Sequence, residues 1–109
     1  MNKLIRDKLP ERYNLSKKQC KIEEYPFFLG LKLIEESKEV VAELKPSNEP
    51  INRVRLIEEL ADVREVYETL IKMYDIDIEE IKDIQNAKRI LKGGFKEGYI
   101  LDDLDVEEK

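Results

Sequence analysis

The stretch LIEELADVREV, Leu56 to Val66, carries the periodicity of an amphipathic helix and interrupts it with acids. Apolar residues at three- and four-residue steps predict one face that packs against the rest of the protein. At about 100° per residue, Glu59 falls inside that apolar arc and Asp62 falls on its border. An ionised carboxylate that is buried without a partner is costly, so these two acids require a compensating cation.

Two long helices are predicted from the apolar periodicity around this stretch. One runs from about Asn52 to Tyr74, and an earlier one runs from Phe27 to about Leu44. Their stripes contain Leu56, Leu60, Val63, Tyr67, Leu70 and Tyr74 in the later helix, and Leu29, Leu33, Val40 and Leu44 in the earlier one. The segment KPSNEP, residues 45–50, combines two prolines with small polar residues and is predicted to be the loop between them. Antiparallel packing of the two helices follows from so short a connection.

A third helix is predicted after a break at Asp75. Asp77 stands as its N-cap, with Glu80 three residues later as in a capping box. The helix is expected to end at the Gly93-Gly94 pair, which follows a helix and lacks the spacing of a Walker phosphate loop. The pair is therefore interpreted as a helix C-cap with a turn.

The two ends of the chain carry weaker signals. Pro10 marks a turn or a helix start, and residues 17–25 are expected to be extended or a charged loop. Near the other end, FKEGYIL (95–101) is expected to be a short extended segment that packs Phe95, Tyr99 and Leu101 on the body. The acidic tail, about 102–109, is expected to fray. The chain is thus predicted to be a single all-α domain over residues 1–109, an antiparallel helical bundle.

The composition limits the chemistry available to the protein. Of the 109 residues, 41% are apolar and 41% are charged, so the core is thin, and a homodimer that pools two cores is one solution. The net charge is −5 without a long basic run, which argues against a nucleic-acid polymer as partner. The absence of histidine excludes histidine-based catalysis and histidine-ligated zinc. A single cysteine and no apolar span or signal segment predict a cytoplasmic protein that does not enter a membrane.

A second pair of acids, Glu36 and Glu39, lies on or beside the apolar face of the earlier helix. In an antiparallel pair of helices, these acids would face Glu59 and Asp62 across the seam and form one acidic cage. Mg²⁺ favours carboxylate oxygens and would compensate the four charges. The alternative is a solvated face, because surface glutamates commonly pair with lysine or meet water. Under that alternative, Glu59 would need a buried arginine or lysine partner.

These residues resemble a known family. Glu35-Glu36-Ser-Lys-Glu39, followed by Glu59-Leu-Ala-Asp62, is similar to the EExxE…ExxD signature of the all-α nucleoside triphosphate pyrophosphohydrolases. That superfamily includes MazG, dimeric dUTPase and phosphoribosyl-ATP pyrophosphohydrolase. The flanks KLIRDKLPE (3–11) and KRILKGGFKEGYIL (88–101) resemble a small MazG-related subgroup described as phosphoribosyl-ATP pyrophosphohydrolase-like or house-cleaning pyrophosphatases. The resemblance covers residues 3–101.

The resemblance implies an enzyme of the MazG-like bundle type that assembles as a dimer or a dimer of dimers. It would hydrolyse a nucleoside triphosphate between the α and β phosphates, releasing a monophosphate and pyrophosphate. Mg²⁺, with Mn²⁺ as a possible substitute, would be held by Glu36, Glu39, Glu59 and Asp62. Glu35 would support the site. Since the chain has no histidine, a carboxylate such as Glu39 would act as base.

Cationic side chains are expected to contact the polyphosphate of such a substrate. The candidates are Lys3, Arg6 and Lys8 near the start and Lys88, Arg89 and Lys92 before Gly93. Arg6 and Lys88 rank first because they match motif positions, although basic residues in a last helical turn also favour the helix dipole without any ligand.

Two other functions compete with the enzyme. One is a helical module that binds a nucleotide or a partner protein without efficient turnover. The other is a structural dimeric bundle in which Glu59 is paired with a basic side chain.

Overall fold

The computed structural model describes residues 2–46 and 48–102 of the chain. Within these ranges the protein is all-helical, without a strand, as the sequence predicts. The four helices are α1 (Leu9–Arg12), α2 (Tyr25–Leu44), α3 (Arg53–Met73) and α4 (Ile78–Lys92). By contacts between backbones, the chain divides into two compact units, Met1–Asp75 and Ile76–Lys109. The expectation of one domain over the whole chain stays a prediction.

Proline residues set both limits of α2. The helix begins at Tyr25, two residues before the predicted start, and Pro26 lies in its first turn. At that position the missing N–H has no intrahelical partner to lose. The helix ends at Leu44 because Lys45, the residue before Pro46, adopts an extended conformation (φ −59°, ψ 140°). A residue before proline avoids the helical region, since the ring would clash with it.

α3 begins with a side-chain cap. Asn52 is extended, and its side-chain oxygen accepts a hydrogen bond from the Arg55 backbone N–H at 3.2 Å. This bond satisfies one of the free N–H groups at the helix start. α2 and α3 pack against each other. An ion pair of 3.4 Å between Arg55 and Glu43 lies close to the loop that joins them, as expected for antiparallel helices.

The faces that α2 and α3 bury differ in part from the predicted stripes. The buried positions are Leu29 and Glu36 on α2 and Val66 on α3. Four residues that were predicted to lie on the buried faces of these helices, or at their ends, are instead exposed: Leu44, Leu60, Tyr67 and Tyr74. Apolar residues occur on two sides of each helix, and periodicity alone cannot choose between two apolar arcs. The packing of α2 on α3 selects the side that carries the acids.

The N-terminal segment is mostly irregular. Pro10 lies inside the short helix α1, which confirms the interpretation of a helix start. Residues 15–21 form neither helix nor strand, and a turn over residues 22–24 leads into α2. This part of the chain is held to the helical pair by side-chain contacts described below.

The second unit contains α4 and the residues after it. Asp77 caps α4 as predicted, but its carboxylate accepts from the Glu79 N–H at 2.9 Å and not from the Glu80 N–H. The helix ends at Lys92, and Gly93 follows with a φ of 81°, a conformation that glycine adopts without strain.

The segment after α4 does not have the packing expected from its sequence. The expected extended segment has no strand, and its side chains Phe95, Tyr99 and Leu101 are exposed, Phe95 fully. The prediction that they pack was wrong, because apolar composition alone does not provide a partner surface. The predicted frayed tail lies, from residue 103, outside the described residues. No helix in the described ranges is long and apolar enough to cross a membrane.

Candidate metal centre and adjoining cleft

Three carboxylates meet where α2 and α3 pack together. Glu36, on α2, is buried, and Glu59 and Asp62, three residues apart on α3, are half-buried. One oxygen of each side chain lies within 4.8 Å of the others. Like charges this close repel one another, so the cluster is stable at neutral pH only with nearby positive charge.

Two protein cations supply part of that charge. The Lys32 Nζ atom lies 3.2 Å from a Glu36 oxygen, one helical turn away along α2. The Arg6 guanidinium, from the N-terminal segment, donates a hydrogen bond to the Asp62 carboxylate. Each of these contacts neutralises one acid of the cluster. The third acid has no cationic partner among residues 2–46 and 48–102.

Glu59 is the acid without a counter-ion. Among residues 2–46 and 48–102, its side chain makes neither an ion pair nor a hydrogen bond. Partial burial raises the pKa of Glu59, and the negative charges of Glu39, Asp62 and Glu36 raise it further. The basic partner that a purely structural role would require is therefore not found in the described part of the chain.

Glu35 lies beside the cluster and points to the lysines. Lys32 donates a hydrogen bond to it at 2.7 Å, and Lys3 lies 3.5 Å from its other oxygen. The hydrogen bond from Lys32 lowers the pKa of Glu35 despite the opposing effect of burial. Burial alone would lower the pKa of Lys32, but its hydrogen bonds to Glu35 and Glu36 outweigh this effect and raise it. Lys32 thus bridges both acids and favours the ionised form of Glu35.

The other predicted site residues occupy more varied positions. Glu39, on α2, is exposed and lies outside the group of three acids, yet close enough to influence the pKa of Glu59. Lys8 is exposed at the start of α1. The predicted phosphate contacts of the second unit, Lys88, Arg89 and Lys92, are exposed residues of α4. Their roles stay predictions.

Lys32 is the functional residue that sequence reasoning missed. It precedes Glu35 and Glu36 by three and four residues, the spacing at which side chains on a helix meet. That spacing was a sufficient signal for the contact. The Arg6 contact has no such signal, because 56 residues separate it from Asp62 along the chain.

A cleft of about 590 Å³ opens beside the acids. Glu36 and Asp62 lie on its wall together with Arg6 and Lys32. The other lining residues are mostly apolar or neutral, and they come from the N-terminal segment, the turn before α2, and α2 and α3 themselves. This volume is within the range of about 300–1,000 Å³ of small-molecule sites in proteins.

The donor set of the cluster fits a hard divalent cation. All three candidate ligands are carboxylates, which suit Mg²⁺, Mn²⁺ and Ca²⁺, and the cluster contains no imidazole or thiolate. Ligands on an octahedral Mg²⁺ are about 3 Å apart when adjacent and about 4 Å apart when opposite. The observed 4.8 Å limit is close to these separations. Such a cation would also supply the positive partner that Glu59 lacks among the described residues.

No protein-family model, curated protein or solved structure matches this chain. The resemblance to the MazG-like enzymes therefore rests on the sequence motifs alone.

Proposed function

We propose that this protein is a Mg²⁺-dependent nucleoside triphosphate pyrophosphohydrolase of the MazG-like type. The observation that carries the proposal is Glu59, a partly buried acid next to two others, with no basic partner in the described residues. A polar side chain in this position is costly unless a ligand compensates it. The motif resemblance supports the reaction, which is hydrolysis between the α and β phosphates.

The acids have separable roles in this proposal. Glu36, Glu59 and Asp62 would hold the cation, with Glu39 as a further carboxylate beside Glu59. A bound Mg²⁺ would offset the charge of the phosphate oxygens during attack by water. Glu39 is exposed and has no resolved cation partner in the described ranges, so its carboxylate is free to orient the attacking water and to accept its proton.

The cations of the first unit serve the site from two sides. Lys32 is shared between Glu35 and Glu36 and keeps the Glu36 carboxylate oriented toward the other two acids. Arg6 and Lys3 come from the exposed N-terminal segment, and each is paired with an acid. A substrate polyphosphate would compete with those acids for the guanidinium and the ammonium group.

The proposal is tested by product analysis on a panel of nucleoside triphosphates. With Mg²⁺ or Mn²⁺, the expected products are the monophosphate and pyrophosphate, in equal amounts, and chelation should abolish turnover. Release of orthophosphate alone would contradict cleavage at the α–β bond. Nucleotide binding without turnover would favour the alternative, a helical binding module.

Two substitutions test the site itself. Glu59→Gln is expected to weaken Mg²⁺ binding at least about tenfold, because even the loss of a group that only supports a metal ligand has an effect of this size. Glu58→Gln, at the neighbouring exposed position, is the matched control and should leave Mg²⁺ affinity unchanged. Equal Mg²⁺ affinity in both variants and in the wild type, measured by titration calorimetry, would exclude the metal centre.

We also propose that the protein is a homodimer. The described part of the chain has two buried apolar residues, Leu29 and Val66, which is a small core for a protein of this size. Large apolar residues remain exposed on α2 and α3 and would be covered by a second copy.

A further inference from the structure

The cleft beside the acids follows the seam between α2 and α3. Because the helices are antiparallel, Lys32 and Val66 lie one turn from the acids and Leu29 and Thr69 lie two turns from them, on the same side. All four residues line the cleft. It therefore extends about 10 Å along the helix axes from the carboxylates.

The chemistry of the lining changes along that distance. Ionic side chains of the two helices lie at the carboxylates or within about one turn of them, Lys32 and Glu65 included, and Arg6 pairs with Asp62 there. Toward the start of α2 the helix residues of the lining are Leu29, Tyr25 and, from α3, Thr69, all of which are uncharged. A complementary ligand would have an anionic group at one end and a neutral, partly apolar body at the other.

Two neutral polar groups on the lining have hydrogen-bonding capacity to spare. The Gln19 carboxamide and the Tyr25 hydroxyl line the cleft, and neither makes a hydrogen bond within residues 2–46 and 48–102. A carboxamide presents a donor and an acceptor side by side, which is the pattern on the edge of a nucleobase. The Tyr25 ring offers an aromatic surface to a planar ligand.

We propose that this cleft binds the nucleoside part of the substrate, with the base recognised by Gln19 and Tyr25. The inference rests on the proposed function, since the acids at the other end would then hold the cation and the phosphates. Residues just before α2 and at its start then determine which base is accepted. Leu4, Ile5, Arg6 and Asp7 also line the cleft, so the N-terminal segment contacts both the nucleoside and the acids.

Cys20 provides a direct test, because it lines the cleft and is the single cysteine of the chain. The rate at which an aromatic disulfide reagent modifies Cys20 is measured with the four nucleoside monophosphates, each with Mg²⁺. At ten times the dissociation constant of the preferred nucleotide, modification should slow roughly tenfold. Pyrophosphate and ribose 5-phosphate, which carry no base, should leave the rate unchanged. Equal protection by ribose 5-phosphate would overturn the inference.

A second test uses the other glutamine of the chain as a matched control. Gln19→Leu is expected to raise the KM for the preferred nucleoside triphosphate about tenfold, through the loss of hydrogen bonds to the base, with kcat little changed. Gln85→Leu removes the same group from an exposed position on α4 outside the cleft lining, and should change neither constant. Tyr25→Phe, which keeps the ring, should raise KM less than Gln19→Leu.

The outcomes separate this inference from the proposed function. Hydrolysis of nucleotides with an unprotected Cys20 and an unchanged KM in Gln19→Leu would overturn the nucleoside site and leave the enzyme intact. Base-dependent protection of Cys20 without any hydrolysis would support the nucleoside site and overturn the enzyme.

Discussion

At the scale of single residues, the charges around Glu36, Glu59 and Asp62 are unequally balanced. Two of the acids have a protein cation within reach, Lys32 and Arg6, and Glu59 has none in the described ranges. This unequal balance predicts that removing the charge of Glu59 weakens Mg²⁺ binding and that removing the charge of Arg6 strengthens it.

Removing the charge of Glu59 is expected to stabilise the protein without metal at neutral pH. The pKa of Glu59 is raised on folding, so ionisation favours the unfolded state. Well below pH 4.5, the ordinary pKa of a glutamate, Glu59 is protonated in both states and the destabilisation is absent. It develops as the pH rises above that value and is complete above the pKa of the folded state. In chelator, Glu59→Gln should therefore melt at a higher temperature than wild type at pH 7.5 and at a similar one at pH 3.5.

Glu58→Gln is the control for this measurement, and its melting temperature should follow the wild type at both pH values. Mg²⁺ should raise the melting temperature of the wild type and not that of Glu59→Gln. A lower melting temperature of Glu59→Gln in chelator at pH 7.5 would contradict the prediction.

Replacing Arg6 is expected to strengthen cation binding in the absence of substrate. Its guanidinium pairs with Asp62, so it competes with a metal ion for that carboxylate. An exposed pair is worth at most about 1 kcal/mol, which corresponds to a gain of about two- to fivefold in Mg²⁺ affinity for Arg6→Gln. Arg12→Gln, also in the N-terminal segment, should leave the affinity unchanged in the same calorimetric titration. Weaker binding by Arg6→Gln would show that Arg6 organises the site and does not compete for it.

At the scale of elements, α3 positions two of the three acids, and its start depends on one side chain. The Asn52 oxygen accepts from the Arg55 N–H, and the Arg55 side chain in turn contacts Glu43 of α2. Arg55 therefore takes part both in the cap that begins α3 and in the contact that holds α3 against α2.

Asn52→Ala is expected to lower the free energy of unfolding by about 1 kcal/mol, the usual effect of losing an N-cap. Urea unfolding followed by circular dichroism measures the change. Asn86→Ala, at an exposed position inside α4, is the control and should be neutral or slightly stabilising, because alanine favours helix interiors. An Asn52→Ala variant as stable as the wild type would mean that the cap contributes nothing to the attachment of α3.

At the scale of the whole molecule, α2 has two apolar sides. Leu29 lies on the side that packs on α3, and a helical projection places Phe27, Leu31, Ile34 and Val41 together on the opposite side, where all four are exposed. An exposed apolar face, here interrupted by Lys38, is typical of an interface with a second protein chain.

Ile34→Lys is expected to convert the proposed dimer into a monomer of 12.9 kDa, because the added charge would be buried without a partner and would repel Lys38 one turn away. Light scattering during size-exclusion chromatography gives the mass. Gln85→Lys adds the same charge on α4 and should leave the dimer intact. A wild type that is already monomeric at micromolar concentration would contradict the proposal.

The sequence anticipated much of this molecule. The limits of α2, α3 and α4 lie within about two residues of the predicted ones, because proline, glycine and N-cap residues act locally. The spacing of the acids predicts one cage of Glu36, Glu39, Glu59 and Asp62, and the structure brings three of them together, without Glu39. The exposure of Leu60 and Tyr67 was not predicted, because each helix has more than one apolar arc.

By itself, the amino-acid sequence determined the helical class, the places where the helices stop, and the acids that would require a cation. Only the tertiary structure decided which charges meet. The register of α2 against α3 brings Glu36 to Glu59 and Asp62 and leaves Glu39 exposed. The irregular path of the N-terminal segment brings Arg6 to Asp62 and forms a cleft beside them. Neither result follows from local patterns, because both depend on distances between residues that are far apart in the chain.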